Sequence, residues 1–159
     1  MRENWKMLID TAVKKKIWLS TAESCTGGLI SSRITDVPGA SECFKGGVVS
    51  YSNWVKIEVL GVQESTLREY GAVSRECARE MSRGAMRVLG SDLSVAVTGI
   101  AGPGGGTREK PVGTVYISVR SRDGYDDTRL FHLEDLSRDR FKVETASRSL
   151  RMLIDALEA

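Results

Sequence analysis

The sequence predicts an α/β protein, a three-layer α/β/α domain with a mixed β-sheet. Segments with a helical period alternate with strand-like segments along the chain, which is typical of parallel strands joined by helices. Near the C-terminus two strand patterns flank Asp123 and Gly124, a signal for an antiparallel hairpin. With 159 residues, the simplest prediction is one domain over residues 1–159.

The first elements follow from spacing and turn chemistry. Residues 3–16 carry apolar side chains at helical spacing, which predicts an amphipathic helix. An apolar run at 17–22 predicts a strand, and the helical period returns over 27–35. The turn sequence Asp-Val-Pro-Gly at 36–39 ends that helix, because proline disfavours helix at the residue before it. A second strand is predicted at 46–52.

Three more helices follow in the middle of the chain. Residues 53–60 have a helical pattern with Gly61 as the stop, and residues 64–70 form a short helix. Ser74 is a good N-cap for a helix that runs through Leu89, because the apolar residues of that segment fall on one face.

The last part of the chain contains three strand patterns and one helix. The strands are predicted at residues 93–98, 113–120 and 128–133. The helix is predicted to begin near Ser137 or Arg138. The first strand is apolar enough to be buried on both faces. The intervening residues 99–112 contain five glycines and two of the three prolines, so they form a loop that is too long and glycine-rich for a simple connection.

Composition excludes several classes of protein. The net charge is +2 and the only dense basic run, at residues 14–16, suits a helix end, so no nucleic-acid partner is expected. No apolar run is long enough to cross a bilayer, and the N-terminus lacks a secretory apolar segment. The three cysteines form no C-x-x-C pair, which favours reduced thiols in a cytoplasmic protein without a membrane partner.

Metal and cofactor chemistry is not expected either. The single histidine, His132, lies in a strand pattern and is interpreted as structural. Without a second histidine or paired cysteines, no zinc site of the usual kinds is predicted. The glycine-rich loop matches neither a G-x-G-x-x-G nor a Walker A sequence, and nothing near His132 supports a Ser-His-Asp triad.

A serine activated without histidine remains. Ser24 lies in residues 22–28 (AESCTGG), where the first strand gives way to a helix whose free N–H groups are predicted to bind an anion. Lys56 follows the second strand and is a candidate base, because burial lowers the pKa of a lysine. Tyr51 is placed to relay a proton or to hold the lysine. By spacing alone, a solvated Lys56 and an edge Tyr51 remain the alternative.

Two further features belong to the same edge of the predicted sheet. The loop at 99–112 is interpreted either as a backbone cradle for a phosphate or carboxylate, with the Thr98 hydroxyl beside it, or as a flexible cover. Cys25 is a rival nucleophile to Ser24, since thiolates are intrinsically stronger nucleophiles.

Four motifs occur in a distinctive order along the chain. They are AESCTGG at 22–28, GGVVSYSN at 46–53 followed by Lys56, GAVS at 71–74, and TGIAGP at 98–103 with KPVGT at 110–114. Together they resemble the CinA C-terminal domain family, the nicotinamide-mononucleotide (NMN) deamidases, over nearly the whole chain. The resemblance implies a stand-alone form of the domain that converts NMN to nicotinate mononucleotide and ammonia by a metal-free Ser/Lys mechanism. It also leads us to expect a homodimer.

Residue by residue, the resemblance implies that Ser24 is the nucleophile, Lys56 its partner and Tyr51 the tyrosine beside them. It places Ser41 near the site as a second serine, Thr98 along the nucleotide, and Arg138 at the phosphate. The full implied substrate-binding set is Ser41, Thr26, Gly27, Thr98, Gly99, Gly102 and Arg138.

One departure from the family pattern bears on the function. At residues 136–137 the chain reads Leu-Ser where the family commonly reads Gly-Asp. Two alternatives therefore stay open: a non-catalytic nucleotide-binding or regulatory module related to competence/damage-inducible CinA, and an amidohydrolase that acts on another amide.

Overall fold

A five-stranded sheet organises the computed structural model, which describes residues 2–159. This part of the chain forms six α-helices, one short 3-10 helix and five strands. The helices are α1 (Arg2–Lys15), α2 (Leu29–Thr35), α3 (Asn53–Glu58), α4 (Glu64–Tyr70), α5 (Arg75–Leu89) and α6 (Arg138–Glu158), and the 3-10 helix is Ala40–Glu42. The strands are β1 (Leu19–Glu23), β2 (Phe44–Val49), β3 (Leu93–Gly99), β4 (Thr114–Ser121) and β5 (Asp126–His132).

The sheet is mixed, with strand order β2-β1-β3-β4-β5. β1 pairs in parallel with β2 and β3, whereas β4 runs antiparallel to both β3 and β5. Glu23, the last residue of β1, pairs with Val49 of β2 and Val97 of β3. The carboxyl ends of the three parallel strands therefore meet at one edge of the sheet, which is where ligands bind in open α/β sheets.

Helices cover both faces of the sheet, which confirms the predicted three-layer α/β/α architecture. On one face α1, α2 and α6 pack over a large apolar core that includes Leu8, Ile30, Ile117 and Leu153. On the other face α5 lies over a smaller apolar cluster that includes Met81. No helix within residues 2–159 is long and apolar enough to span a bilayer.

The predicted element types are confirmed, while several boundaries shift. β2 begins at Phe44 rather than at residue 46, and β1 extends to Glu23, which had been predicted to follow the strand. α2 begins at Leu29 rather than at residue 27, because Gly27 and Gly28 have φ angles of 61° and 99° and form a left-handed turn. Residues 24–28 therefore lie between the end of β1 and the start of α2.

Candidate active site

Ser24 and Lys56 meet at the edge of the sheet where the parallel strands end. Ser24 follows β1 directly, and its N–H donates to the carbonyl of Val97 on β3 (3.1 Å). Lys56 lies on α3, which follows β2, and its Nζ donates to Ser24 Oγ at 3.1 Å and to the Ser50 carbonyl at 2.6 Å. Lys56 is only 1% exposed. The alternative of a solvated lysine is therefore wrong.

The start of α3 fixes where the lysine side chain enters the site. The Ser52 side chain accepts a hydrogen bond from Val55 N (3.3 Å) and caps the helix, and Lys56 N donates to Ser52 O. Burial lowers the pKa of the Lys56 amine from its ordinary value of 10.5, because an ammonium loses solvation inside the protein. The neutral amine beside the Ser24 hydroxyl is therefore reached at a lower pH than in an exposed lysine.

Two thiols lie near Lys56 but do not offset this effect at neutral pH. Burial raises the pKa of Cys25 to about 12 and that of Cys77 to about 12. Both thiols therefore stay protonated and uncharged, and neither supplies the thiolate that nucleophilic attack requires. Ser24, with the amine in hydrogen-bond contact, is better placed as nucleophile than Cys25.

The predicted anion site at the start of α2 is filled from inside the protein, which corrects the prediction. The buried Glu23 carboxylate accepts from Thr26 Oγ1 (2.7 Å), Gly28 N (3.1 Å) and Ile30 N (3.0 Å). It also accepts from the N–H and the hydroxyl of Ser31, both at 2.8 Å. The first N–H groups of the helix are therefore not available to a substrate anion.

A cavity of about 280 Å³ opens above the serine. It is lined by Ser24, Cys25, Tyr51, Gly99, Ile100, Ala101, Gly102, Gly104, Gly105 and Arg138. The strand β3 ends at this cavity with Gly99, and the glycine-rich loop that follows supplies half of the lining residues. The cavity is comparable in volume with the smaller ligand sites of proteins.

Arg138 and Tyr51 lie together at the mouth of the cavity. Arg138 Nη1 donates to the Gly102 carbonyl (2.8 Å), and Nη2 donates to the Tyr51 hydroxyl (3.0 Å). The predicted contact between Tyr51 and Lys56 is not formed, since the Ser50 carbonyl holds the lysine instead. Tyr51 is 63% exposed, so it contributes to the rim of the site rather than to the buried pair.

The Leu-Ser departure at 136–137 preserves the start of the last helix. Ser137 is the N-cap of α6, and its side chain accepts a hydrogen bond from Arg140 N at 3.3 Å. Serine is as good a helix cap as the aspartate of the family pattern. Arg138 therefore keeps its place as the first residue of α6, facing the cavity.

A second cation lies one helical turn further along α6. A Cβ built on Gly27 would lie 3.8 Å from Lys142 Nζ, so the ammonium lies against the left-handed turn that follows Ser24. Neither Arg138 nor Lys142 forms an ion pair with a carboxylate within residues 2–159. Arg138 lines the cavity, whereas Lys142 lies beside the turn next to it, and uncompensated cations in such positions attract an anionic ligand.

Several residues implied by the resemblance do not line the cavity. Thr26 and Thr98 are buried, and their hydroxyls donate to Glu23 and to the Ala72 carbonyl (2.8 Å) respectively. Ser41 lies in the 3-10 helix before β2, at the opposite end of that strand from Ser50, and lines a separate depression. Within this chain, then, the structure does not bring Ser41 to the site.

Three residues of the site are absent from the sequence predictions. Glu23 is visible in the AESCTGG motif as an acidic residue just before a helix start, where a carboxylate is favourable. Lys142 is four residues after Arg138, a spacing that places both on one helix face. Ser50 acts through its carbonyl oxygen, so its residue type carries no signal.

The groups at the cavity define a class of site. A hydroxyl, a buried amine and free backbone N–H groups lie at the strand ends of an α/β/α domain, an arrangement suited to acyl transfer by serine with lysine as base. No cluster of three or more His, Cys, Asp or Glu residues within 2–159 is arranged to hold a metal ion. His132 is exposed at the end of β5.

Comparison with known proteins names the family. The family model of the CinA C-terminal domain matches residues 2–157, so the chain belongs to this family. A CinA-like protein of Leptospira borgpetersenii is 49% identical over 147 residues, 92% of this chain and 35% of the relative. A CinA-like protein of Fervidobacterium nodosum is 54% identical over 123 residues, 77% of this chain and 30% of the relative. The chain thus spans about a third of the length of these curated relatives.

Solved structures of the same superfamily share the fold. The competence/damage inducible protein CihA of Agrobacterium tumefaciens superposes with a TM-score of 0.96 at 40% identity, over 99% of this chain and 95% of the other. A CinA superfamily protein of Enterobacter cloacae gives a TM-score of 0.93 at 29% identity, over 98% and 91%. The predicted family resemblance is confirmed.

Proposed function

We propose that this chain hydrolyses the carboxamide of NMN to nicotinate mononucleotide and ammonia, with Ser24 as nucleophile and Lys56 as general base. The observation that carries the proposal is the buried Lys56 Nζ at 3.1 Å from Ser24 Oγ. Burial lowers the pKa of this amine, so its neutral form is populated nearer to neutral pH than that of an ordinary lysine. The resemblance to NMN deamidases supplies the expected substrate.

The reaction follows from the geometry of this pair. Neutral Lys56 accepts the Ser24 proton while Oγ attacks the carboxamide carbon, forming a tetrahedral intermediate. The resulting ammonium of Lys56 gives the proton to the amide nitrogen, and ammonia leaves as the C–N bond breaks. Water then attacks the acyl carbon while Lys56 accepts a proton from it, and the bond between the acyl carbon and Ser24 Oγ breaks. Lys56 returns its proton to Ser24 Oγ as nicotinate mononucleotide is released, which restores the free enzyme.

The negative charge on the tetrahedral intermediate requires hydrogen-bond donors that the fold has not already used. The N–H of Gly28 donates to Glu23 and that of Gly27 donates to Ser24 O, so neither serves this role. Among residues 2–159 no other residue accepts a hydrogen bond from the N–H of Cys25 or of Thr26, and Cys25 directly follows the nucleophile. A donor in this position is worth about 3–4 kcal/mol in well-studied hydrolases.

The two cations on α6 suit a phosphate-bearing substrate. Arg138 lies at the cavity mouth with only the neutral Gly102 carbonyl and Tyr51 hydroxyl as partners in the described chain. A guanidinium binds a phosphate through two parallel hydrogen bonds, and the Lys142 ammonium adds a second positive charge nearby. The positive charge on this side of the site therefore favours a nucleotide substrate over an amide without a phosphate.

The test is ammonia release from NMN by the purified protein with EDTA present. Ser24→Ala is the inactive variant, and Ser20→Ala, which removes a buried hydroxyl of β1 bonded to Ser91, is the matched control. We expect release by the wild type and by Ser20→Ala, with a loss of at least about 10³-fold for Ser24→Ala. Undiminished release by folded Ser24→Ala would contradict the proposal.

Other outcomes distinguish the two alternatives. NMN that binds without turnover would identify a nucleotide-binding module, and isothermal titration measures this directly. Ammonia release from nicotinamide or other amides, with none from NMN, would identify an amidohydrolase of different substrate class. Loss of NMN hydrolysis in EDTA, with recovery on adding a divalent metal, would contradict the metal-free mechanism.

A further inference from the structure

Glu23 holds a buried negative charge one residue before the nucleophile. It is 1% exposed, and its backbone is fixed by pairing with β2 and β3 on both sides. Its carboxylate accepts five hydrogen bonds from groups within residues 2–159, all of them from uncharged donors. No cation of that part of the chain forms an ion pair with it. Such a group is costly to bury unless every lone pair is used.

The donors to Glu23 come from both sides of the turn that carries Ser24. Thr26 and Gly28 lie within the turn, whereas Ile30 and Ser31 belong to the first turn of α2. The carboxylate therefore ties the end of β1, the turn and the start of α2 to one point. The α2 dipole further favours a negative charge at this place.

Three backbone hydrogen bonds also hold the turn, one of them from Leu29 N to the Thr26 carbonyl at 3.2 Å. Gly27 and Gly28 both adopt left-handed φ angles, a flexible combination in an unfolded chain. Ser24 is held at its N–H by Val97, and its carbonyl accepts from Gly27 N. The Glu23 carboxylate adds five hydrogen bonds to these, so it is the group that joins the turn to α2 and contributes to the position of Ser24 Oγ relative to Lys56 Nζ.

The geometry points to Glu23 as a positioning residue of this active site: its carboxylate holds the Ser24 turn so that Oγ lies in hydrogen-bond contact with Lys56 Nζ. By occupying the N–H groups at the start of α2, it also directs the substrate anion to Arg138 and Lys142. This inference rests on the proposed function, because the role of Ser24 as nucleophile belongs to that proposal, but it does not depend on NMN as the substrate. Glu23 touches no reacting atom, so it acts through Ser24.

Glu23→Gln is the sharpest variant, because it keeps the volume but turns one acceptor oxygen into an NH2 donor facing other donors. We expect kcat for ammonia release to fall about 100-fold with little change in KM, the result of a displaced nucleophile. Ser20→Ala is the stability control, since it removes a buried hydrogen bond from the same strand without touching the turn. We expect it to lower Tm and to leave kcat unchanged.

A second readout does not depend on NMN. p-Nitrophenyl acetate transfers its acetyl group to an activated serine Oγ; p-nitrophenolate leaves, and the serine proton goes to the base. We expect mass spectrometry to find the acetyl group on Ser24 of the wild type, formed about 100-fold more slowly in Glu23→Gln, measured well below each Tm. Acetylation without ammonia release from NMN would contradict the proposed substrate alone.

Several results would overturn the inference itself. The inference is wrong if folded Glu23→Gln is acetylated at the wild-type rate. It is also wrong if the wild-type protein is not acetylated at Ser24. Where Glu23→Gln does not fold, Thr26→Val removes one donor to the carboxylate and keeps the side-chain shape. Slower acetylation of Thr26→Val supports positioning, and an unchanged rate contradicts it.

Discussion

Arg138 donates a hydrogen bond from Nη2 to the phenol oxygen of Tyr51, at 3.0 Å, across the mouth of the cavity. The two residues are 87 positions apart in the chain. The same guanidinium donates to the Gly102 carbonyl at 2.8 Å, so one side chain joins the first residue of α6, the segment after β2 and the glycine-rich loop. Both acceptors are neutral, which leaves the positive charge for a substrate.

Replacing this arginine is expected to weaken substrate binding more than catalysis. Arg138→Gln removes the charge, and a hydrogen bond to a charged group contributes about 1.5–3 kcal/mol. We expect KM for NMN to rise about 10–100-fold with a smaller change in kcat, measured by steady-state ammonia release. Arg140→Gln, an exposed cation on the same helix, is the matched control and should leave both constants unchanged.

The phosphate is the predicted partner of Arg138, and the nucleoside tests this directly. Nicotinamide riboside lacks the phosphate, so Arg138→Gln should alter its hydrolysis little. An equal loss for the nucleotide and the nucleoside would assign Arg138 to another part of the substrate.

Tyr51 is expected to contribute to the rim and not to proton transfer. Its hydroxyl accepts from Arg138, and Lys56 Nζ is held by Ser24 and by the Ser50 carbonyl. Tyr51→Phe should therefore change kcat for NMN by less than about tenfold in a steady-state assay. A loss of three orders of magnitude or so would instead place the phenol in the proton path.

The pH dependence should report the deprotonation of Lys56. Because burial lowers the pKa of this amine from 10.5, kcat/KM is expected to rise with pH with a midpoint below that value. Lys56→Arg keeps the positive charge but cannot lose its proton, so it should be inactive at every pH. Lys6→Arg, an exposed lysine of α1, is the control. A midpoint at or above 10.5 would contradict a buried base.

Cys25 is expected to be dispensable for the chemistry. Burial raises the pKa of its thiol to about 12, so almost no thiolate exists at pH 8. Cys25→Ala should keep kcat within about tenfold of the wild type, and iodoacetamide should leave activity intact at this pH. Inactivation that tracks alkylation of Cys25, together with an inactive Cys25→Ala, would favour the thiol as nucleophile.

Gly84 of α5 is expected to tolerate no side chain. A Cβ at this position would lie 2.7 Å from the Leu60 carbonyl carbon and closer still to its oxygen. Alanine normally gains about 1 kcal/mol over glycine within a helix, but overpacking against rigid backbone costs about 1–3 kcal/mol. We expect Gly84→Ala to lower the free energy of unfolding in urea titrations. Arg83→Ala, on the exposed face of the same helix, should change it little.

Local sequence patterns predicted the helices and strands of this protein because each pattern agrees with the element that the structure forms. Helical spacing, the Ser74 cap and the Asp123-Gly124 hairpin each act over a few residues, so the sequence shows them directly. The junction of strand and helix at Ser24 is visible for the same reason. Ser41 shows the limit of motif matching, since it shares the family pattern but lies at the other end of β2.

The sequence by itself determined the α/β class, the element types and the family motifs that contain Ser24 and Lys56. Only the tertiary structure decided that these two residues touch, because 32 residues separate them and the strand order β2-β1-β3 brings them together. The tertiary structure also decided which charged side chains are hydrogen-bonded within the protein and which remain available to a ligand. The carboxylate of Glu23 accepts from N–H groups of α2, for which its place just before a helix start is the local signal. Arg138 meets only neutral acceptors, and this has no local signal because both acceptors are distant in the chain.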